Sequence, residues 1–171
     1  MAKSCFQVNI KAFDEFIENV KKDPKNGLVT FKTTTEWQGG AISKTTARDF
    51  VLHTDEPKSL GGTDSAADPV ELLLASIATC FSIGFVTNAA KKGIDFEDLI
   101  IETEGDLDLR GYFGLDQSVR PGYTNIRYTV KVKSEASEEQ LEELRQLAHS
   151  LSPMIETVVN GVGIEGKVEK L

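Results

Sequence analysis

The sequence predicts an α+β protein, with strands grouped on either side of one long central helix. Three observations carry this. Residues 69–92, PVELLLASIATCFSIGFVTNAAKK, form an almost unbroken apolar run far longer than a strand. Segments rich in Val, Thr, Ile, Phe and Trp come both before and after it. Two serine-capped helix starts then close the chain, so strands and helices come in runs and not in regular βαβ alternation.

The elements follow in order. Phe6, Ile10, Phe13, Ile17 and Val20 recur at three- and four-residue spacing, which predicts an amphipathic helix ending at Asp23-Pro24. Leu28 to Trp37 reads as a strand turned by Gln38-Gly39-Gly40, with further strands at Ala41 to Arg48 and Phe50 to Thr54. A polar loop, Pro57 to Asp68, leads into the central helix. Asp68 is its N-cap, Pro69 its first residue and Glu71 the acid that closes a capping box. Lys91-Lys92-Gly93 ends it, basic residues facing the negative end of the helix dipole. At 1.5 Å per residue this helix is about 36 Å long. Strands are expected at Leu99 to Leu109 and Ile126 to Lys133, separated by the irregular stretch Arg110 to Tyr123. Ser137-Glu138-Glu139-Gln140 is a capping box, and Ser152-Pro153 starts a short helix that stops at Asn160-Gly161. Gly163 to Val168 is expected to be a last strand.

Composition narrows the function classes. The chain has 171 residues, a one-domain length, with 40% apolar and 27% charged residues, as in ordinary globular proteins. Its formal net charge of −8, with no basic run longer than a pair, argues against a nucleic-acid partner. The opening residues contain no apolar signal segment, and Cys5 and Cys80 do not make a disulfide framework, so a cytoplasmic location is expected. The run Val70 to Val86 carries Glu71 and falls short of the ~20 residues a bilayer requires, so it reads as a buried helix and no membrane partner is expected. That helix is apolar on every face, and one sheet covers only one face. A second copy covering the other is the natural inference, so a homodimer is expected.

Cys80 is the leading candidate for chemistry, because a thiolate is a nucleophile; the alternative is a small buried apolar side chain. Glu71 is a candidate carboxylate that orients a thiol or an arginine, although capping already accounts for it. Ser152 is a candidate site hydroxyl that also reads as an N-cap. Arg110, Arg120 and Arg127, with Tyr112, Phe113 and Tyr123, mark the irregular stretch as a candidate pocket wall for an anion or an apolar molecule. His53 and His149 have no partners at metal-ligand spacing, so no metal is assigned, and no cofactor is implied. Cys5, close to a terminus expected to be mobile, is given no role.

The segment Asp68-Pro69-Val70-Glu71-Leu72-Leu73-Leu74-Ala75-Ser76-Ile77-Ala78-Thr79-Cys80-Phe81 resembles the central-helix motif of the OsmC/Ohr family, the osmotically inducible and organic hydroperoxide resistance proteins. Ala148-His149-Ser150-Leu151-Ser152-Pro153-Met154, followed by Asn160-Gly161, resembles the family's second, Cys-Pro, segment. The resemblance spans roughly residues 28 to 170. It implies strongly curved antiparallel sheets wrapped around the long central helix in an intertwined homodimer. The domain would occupy 28–171, with 1–27 a helical extension.

It also implies a thiol peroxidase. One cysteine reduces an organic hydroperoxide, a second forms a disulfide with it, and an arginine and a glutamate orient the first thiolate. Here Cys80 matches the first cysteine, but Ser152 stands at the second. Val70 stands where the glutamate follows the proline, with Glu71 one place on, and Ala41 stands where the arginine follows the Gly-Gly turn, leaving Arg48 or a loop arginine to replace it. An internal disulfide with Ser152 is impossible. Two functions are therefore expected: hydroperoxide reduction by Cys80 with an external thiol, or binding of a hydrophobic small molecule at the dimer interface without turnover.

Overall fold

The structure is a computed structural model that describes residues 4–171. The chain divides into two compact units, one spanning Asn9–Ala75 and the other joining the residues up to Val8 with Ser76–Leu171.

In the first unit, α1 (Ile10–Lys22) starts where the Asn9 side chain accepts the Ala12 N–H at 3.0 Å, supplying one of the partners a helix start lacks. β1 (Thr34–Trp37), β2 (Ser43–Ala47) and β3 (Phe50–Thr54) form an antiparallel sheet in that order. The first strand begins later than Leu28. Thr34 pairs with Thr46, and β2 ends at Ala47, so residues 28–32 run past the end of their neighbour and have no ladder to join. Arg48-Asp49 makes the two-residue turn from β2 to β3, with Arg48 at φ 55°, a left-handed conformation that costs a side-chain-bearing residue strain.

After β3 the chain is knotted by Asp55. This carboxylate, 1% exposed, accepts from the backbone N–H groups of Glu56, Thr63 and Ser65 and from the Thr63 and Ser65 hydroxyls. These bonds, the Thr63 hydroxyl foremost, hold its carboxyl well below the usual carboxylate range. The start of α2 (Pro69–Lys92) matches its sequence signals. Asp68 Oδ1 accepts the Val70 N–H at 2.9 Å, and Glu71 Oε2 accepts the Asp68 N–H at 2.9 Å.

The second unit packs the rest of α2 against β4 (Asp98–Asp106), β5 (Asn125–Lys133), α4 (Glu138–Ser150) and α5 (Pro153–Asn160), with a short α3 (Leu109–Tyr112) between the strands. Ile77, Phe81, Phe85 and Ala89 recur every four residues and are buried, so they form one face of α2. Phe85 meets Phe96 edge-on at 5.9 Å, and Phe81 lies 4.9 Å from the Tyr128 ring of β5. Each such buried aromatic side chain contributes roughly 1.5–3 kcal/mol of apolar burial. A Cβ on Gly84 would sit 3.6 Å from the Cα of Ala148, so small residues let α2 and α4 approach closely. β4 and β5 pair antiparallel, Thr103 opposite Tyr128 and Glu104 opposite Arg127. Their inner positions face the helices and their outer ones carry ion pairs, Lys131 with Glu102 and Arg127 with Glu104. Gly93, at φ 70°, ends α2 as its sequence suggests, and Ile94 N–H reaches back to Ala89 O at 3.0 Å.

Two expectations are corrected here. Gly163 to Val168 joins no sheet and runs extended, with Ile164 93% exposed, because its alternating pattern supplies strand propensity but no pairing neighbour. Cys5, expected at a loose end, is 1% exposed. Its thiol donates to Ile94 O at 3.1 Å and to Asp95 Oδ1 at 3.4 Å, and the Ser4 hydroxyl donates to the same carboxylate. Burial, with the Asp95 carboxylate beside it, pushes the Cys5 thiol up to about 11.

By length and composition α2 could cross a bilayer. One face is occupied within the second unit, while Ile83 on another face is 68% exposed. Within the second unit the face carrying Ile83 is left uncovered, whereas a helix apolar all round needs cover on every side.

Candidate active site

Cys80 lies midway along α2, next to the buried Phe81, and is half-buried. Sequence proximity does not bring Ser152 near it, being 72 positions away, but the fold does: the Ser152 hydroxyl donates to Cys80 Sγ at 3.3 Å. Ser152 is also the N-cap of α5, since its Oγ accepts the Ile155 N–H at 3.3 Å. The two roles are compatible, because a hydroxyl accepts through a lone pair while giving its proton elsewhere. Pro153 at the first position of α5 fixes the turn that aims Ser152 at the thiol. With Ser152 only 3% exposed, this contact is shielded from water on the serine side.

Beside Phe81 lies a polar cluster of Tyr128, Arg145 and His149, of which the sequence singles out only His149. The Tyr128 ring packs between Phe81 and His149, 5.8 Å from the His149 ring centre. Its hydroxyl lies 2.9 Å from His149 Nδ1 and 2.9 Å from Arg145 Nη1. Arg145 is held in turn by Glu142, through Nε at 2.7 Å and Nη2 at 2.7 Å. That fork, with Gln146 donating as well, draws the Glu142 carboxyl down to about 2 and raises the guanidinium. Tyr128 could have been found from its inward position in the alternation Ile126, Tyr128, Val130, Val132, and Arg145 from its three-residue spacing to Glu142.

The other candidates lie as follows. Glu71 caps the start of α2, and its carboxylate is occupied there. Arg48 lies at the β2–β3 turn with its guanidinium 5.0 Å from the Phe50 ring centre. Arg110 is held by Asp108, with Nη2 to Oδ2 at 2.6 Å, and Arg127 bridges Glu104 at 2.6 Å and Asp106 at 2.7 Å. Tyr112 and Phe113 pack on one another at 5.3 Å, both largely exposed. Tyr123 covers Gly105 so closely that a Cβ there would fall 2.4 Å from its ring. The 110–123 stretch is thus held at both ends to its flanking residues, Arg110 to Asp108 and Tyr123 over Gly105, and Arg110 and Arg127 spend their charge on local carboxylates.

The model of the family of OsmC-like proteins matches residues 62–167, well over half of the chain, including α2 with Cys80 and the Ser152-Pro153 cap. The chain belongs to the OsmC-like protein family. A relative, the uncharacterized protein YmaD of Bacillus subtilis (strain 168), is 30% identical over 115 residues, or 66% of this chain and 70% of its own. Among solved structures, an OsmC-like protein from Mycoplasma pneumoniae superimposes with a TM-score of 0.68 at 19% identity, covering 78% of this chain and 89% of that one. The organic hydroperoxide resistance protein OhrB of Bacillus subtilis superimposes with a TM-score of 0.53 at 24% identity, covering 78% and 93%. At these identities the likeness concerns the fold, an α+β arrangement with antiparallel sheets and a long helix.

Proposed function

We propose that this OsmC-like protein is a thiol-dependent reductase of organic hydroperoxides, with Cys80 as the nucleophile and an external thiol as reductant. The observation that carries the reading is the 3.3 Å hydrogen bond from the Ser152 hydroxyl to Cys80 Sγ. A hydroxyl that donates to sulfur suits a thiolate, and an inert apolar cysteine would not require it. The structural likeness to a protein named for organic hydroperoxide resistance supports the choice of substrate.

The chemistry then runs as follows. The Cys80 thiolate attacks the outer peroxide oxygen; a sulfur–oxygen bond forms, the oxygen–oxygen bond breaks, and the alkoxide leaves with a proton as the alcohol. Ser152 cannot resolve the resulting sulfenic acid, and Cys5 is buried against Asp95. A thiol from solution therefore attacks the sulfenic sulfur and expels water, and a second thiol exchanges the mixed disulfide. Two thiols become one disulfide as one hydroperoxide becomes alcohol and water. Turnover of cumene hydroperoxide with a mono- or dithiol donor tests this. Activity absent in the native chain, or unchanged in Cys80→Ser, ends the reading.

The exposed Ile83 face of α2 supports a homodimer in which a second copy covers that helix. A second function, uptake of a hydrophobic small molecule without turnover, is favoured by the serine at the second cysteine position. Ligand retained in native mass spectra of both the native chain and Cys80→Ser, with no peroxide consumed, would select it.

A further inference from the structure

Ser152 serves two partners with one oxygen. Its Oγ accepts the Ile155 N–H at 3.3 Å, and its proton goes to Cys80 Sγ, also at 3.3 Å. The first turn of α5 and the sulfur on α2 are therefore the two ends of one chain of hydrogen bonds. Bonds in such a chain polarise one another: a hydroxyl that gives its proton to an electron-rich sulfur is a better acceptor for the amide behind it. α5 is also lightly held. Among the described residues from Leu151 onward only Ser152 and Ile155 are buried, and residues 161–171 beyond the helix run extended and exposed. The two residues that fasten this segment are the two that form the cap.

A substituent on the sulfur breaks this chain. A thiol or thiolate sulfur accepts the Ser152 proton, whereas a disulfide sulfur, neutral and bonded on both sides, is a poor acceptor. At 3.3 Å the two atoms are already in contact, so a group joined to Sγ on the Ser152 side displaces the hydroxyl outright. A group joined on the open side leaves the hydroxyl in place but removes its acceptor, and Ser152, 3% exposed, is sealed from solvent. An unmet buried donor costs more than an N-cap contributes, so the side chain leaves its capping rotamer to satisfy the proton. On either side the Ile155 N–H loses its partner.

We propose that the first turn of α5 is a redox-sensitive latch, closed while the Cys80 sulfur is free and open while it carries the sulfur of another thiol. It rests on the role proposed above for Cys80, a thiol that passes through a mixed disulfide, and adds a regulated state to that cycle. The Cys80 sulfenic acid takes up one thiol and expels water, and α5 stays loosened until a second thiol removes the first as a disulfide. The state of a half-buried sulfur is thereby displayed at the surface, by the helix that carries the exposed residues 161–171.

The latch is tested without peroxide. The full-length chain is treated with methyl methanethiosulfonate, which transfers a methylthio group to a thiolate and releases methanesulfinate. Peptide mass spectrometry locates the label on Cys80, and amide hydrogen exchange is read at Ile155. Protection there should fall about fivefold, the fold-change equivalent to losing one helix cap, and recover when dithiothreitol removes the label. Ser152→Ala should show the low protection before labelling and no further change after it. Ser152→Thr, which keeps a hydroxyl at the cap, should retain the switch and covers the case in which the alanine variant fails to fold. Protection unchanged by the label, a label-dependent fall that persists in Ser152→Ala, or failure of Cys80 to take the label would each overturn the proposal. A fall on labelling in a chain that consumes no hydroperoxide upholds the latch and sinks only the peroxidase reading. Steady turnover with Ile155 protection constant on labelling does the reverse.

Discussion

Replacing Ser152 by cysteine should convert the Ser152–Cys80 contact into a disulfide. The hydroxyl and the thiol are already 3.3 Å apart across a separation of 72 residues. The longer carbon–sulfur bond closes part of that gap, and side-chain rotation must close the rest to the ~2.05 Å of a sulfur–sulfur bond. In the chain-entropy account, closing a loop of this length removes denatured-state freedom worth about 4 kcal/mol. The substitution also loses the cap that accepts the Ile155 N–H, at a cost of about 1 kcal/mol. The comparison of oxidised with reduced Ser152→Cys cancels the cap and isolates the cross-link. For a chain of 171 residues, at about 2–4 °C per kcal/mol, the oxidised form should melt roughly 8–16 °C above the reduced one. The reduced variant should melt a few degrees below the native chain. The assay is thermal unfolding with and without dithiothreitol, with peptide mass spectrometry to locate the link. Treatment with one equivalent of cumene hydroperoxide should form it directly, through the Cys80 sulfenic acid. If Cys80 becomes sulfenic acid, captured by dimedone, yet no link between positions 80 and 152 is found, the hydrogen-bond geometry assigned to this site is wrong.

Other outcomes follow from the same packing. Iodoacetamide at pH 8 should alkylate Cys80 while sparing Cys5 until urea unfolds the protein; equal rates at the two thiols would refute the burial of Cys5 against Asp95. Because the folded Cys5 thiol is raised from 9.0 to about 11, the folded state keeps its proton where the unfolded chain loses it. Its contribution, about 3 kcal/mol, is intact below pH 9 and disappears as pH rises toward 11. In Cys5→Ala that part of the alkaline stability loss should be absent. Phe85→Ala, at a fully buried position, should cost about 3–5 kcal/mol in urea unfolding, and a loss under 1 kcal/mol would contradict the core described here. Asp55 is depressed, so its ionised form stabilises the fold above the usual carboxylate range and ceases to as pH falls through its folded value. Asp55→Asn should therefore lower stability at neutral pH and flatten its acid dependence, read from unfolding curves between pH 7 and 3. If the native chain elutes at the volume of the proposed dimer, Ile83→Arg should shift it to the volume of a monomer in size-exclusion chromatography; an unchanged volume would mean that face of α2 is not the subunit contact.

Much of this protein is decided by local chemistry and is therefore readable in its residues. The limits of α2, its Asp68–Glu71 cap and its Gly93 stop, the caps at Ser137 and Ser152, and the α+β order all follow from side chains acting on backbone groups a few positions away. The motif around Cys80 was enough to indicate the family that the match over residues 62–167 confirms. What required tertiary structure is whatever joins distant residues. The 3.3 Å contact of Ser152 with Cys80, the meeting of Tyr128 on β5 with Arg145 and His149 on α4, and the burial of Cys5 on Asp95 each join side chains from segments far apart in the chain. The strand expected at Gly163–Val168 failed for the same reason, since alternation is written in one segment but a ladder needs two. The sequence alone determined one long apolar helix with a cysteine at its middle; only the fold decided that a capping serine from the far end of the chain is the group that cysteine meets.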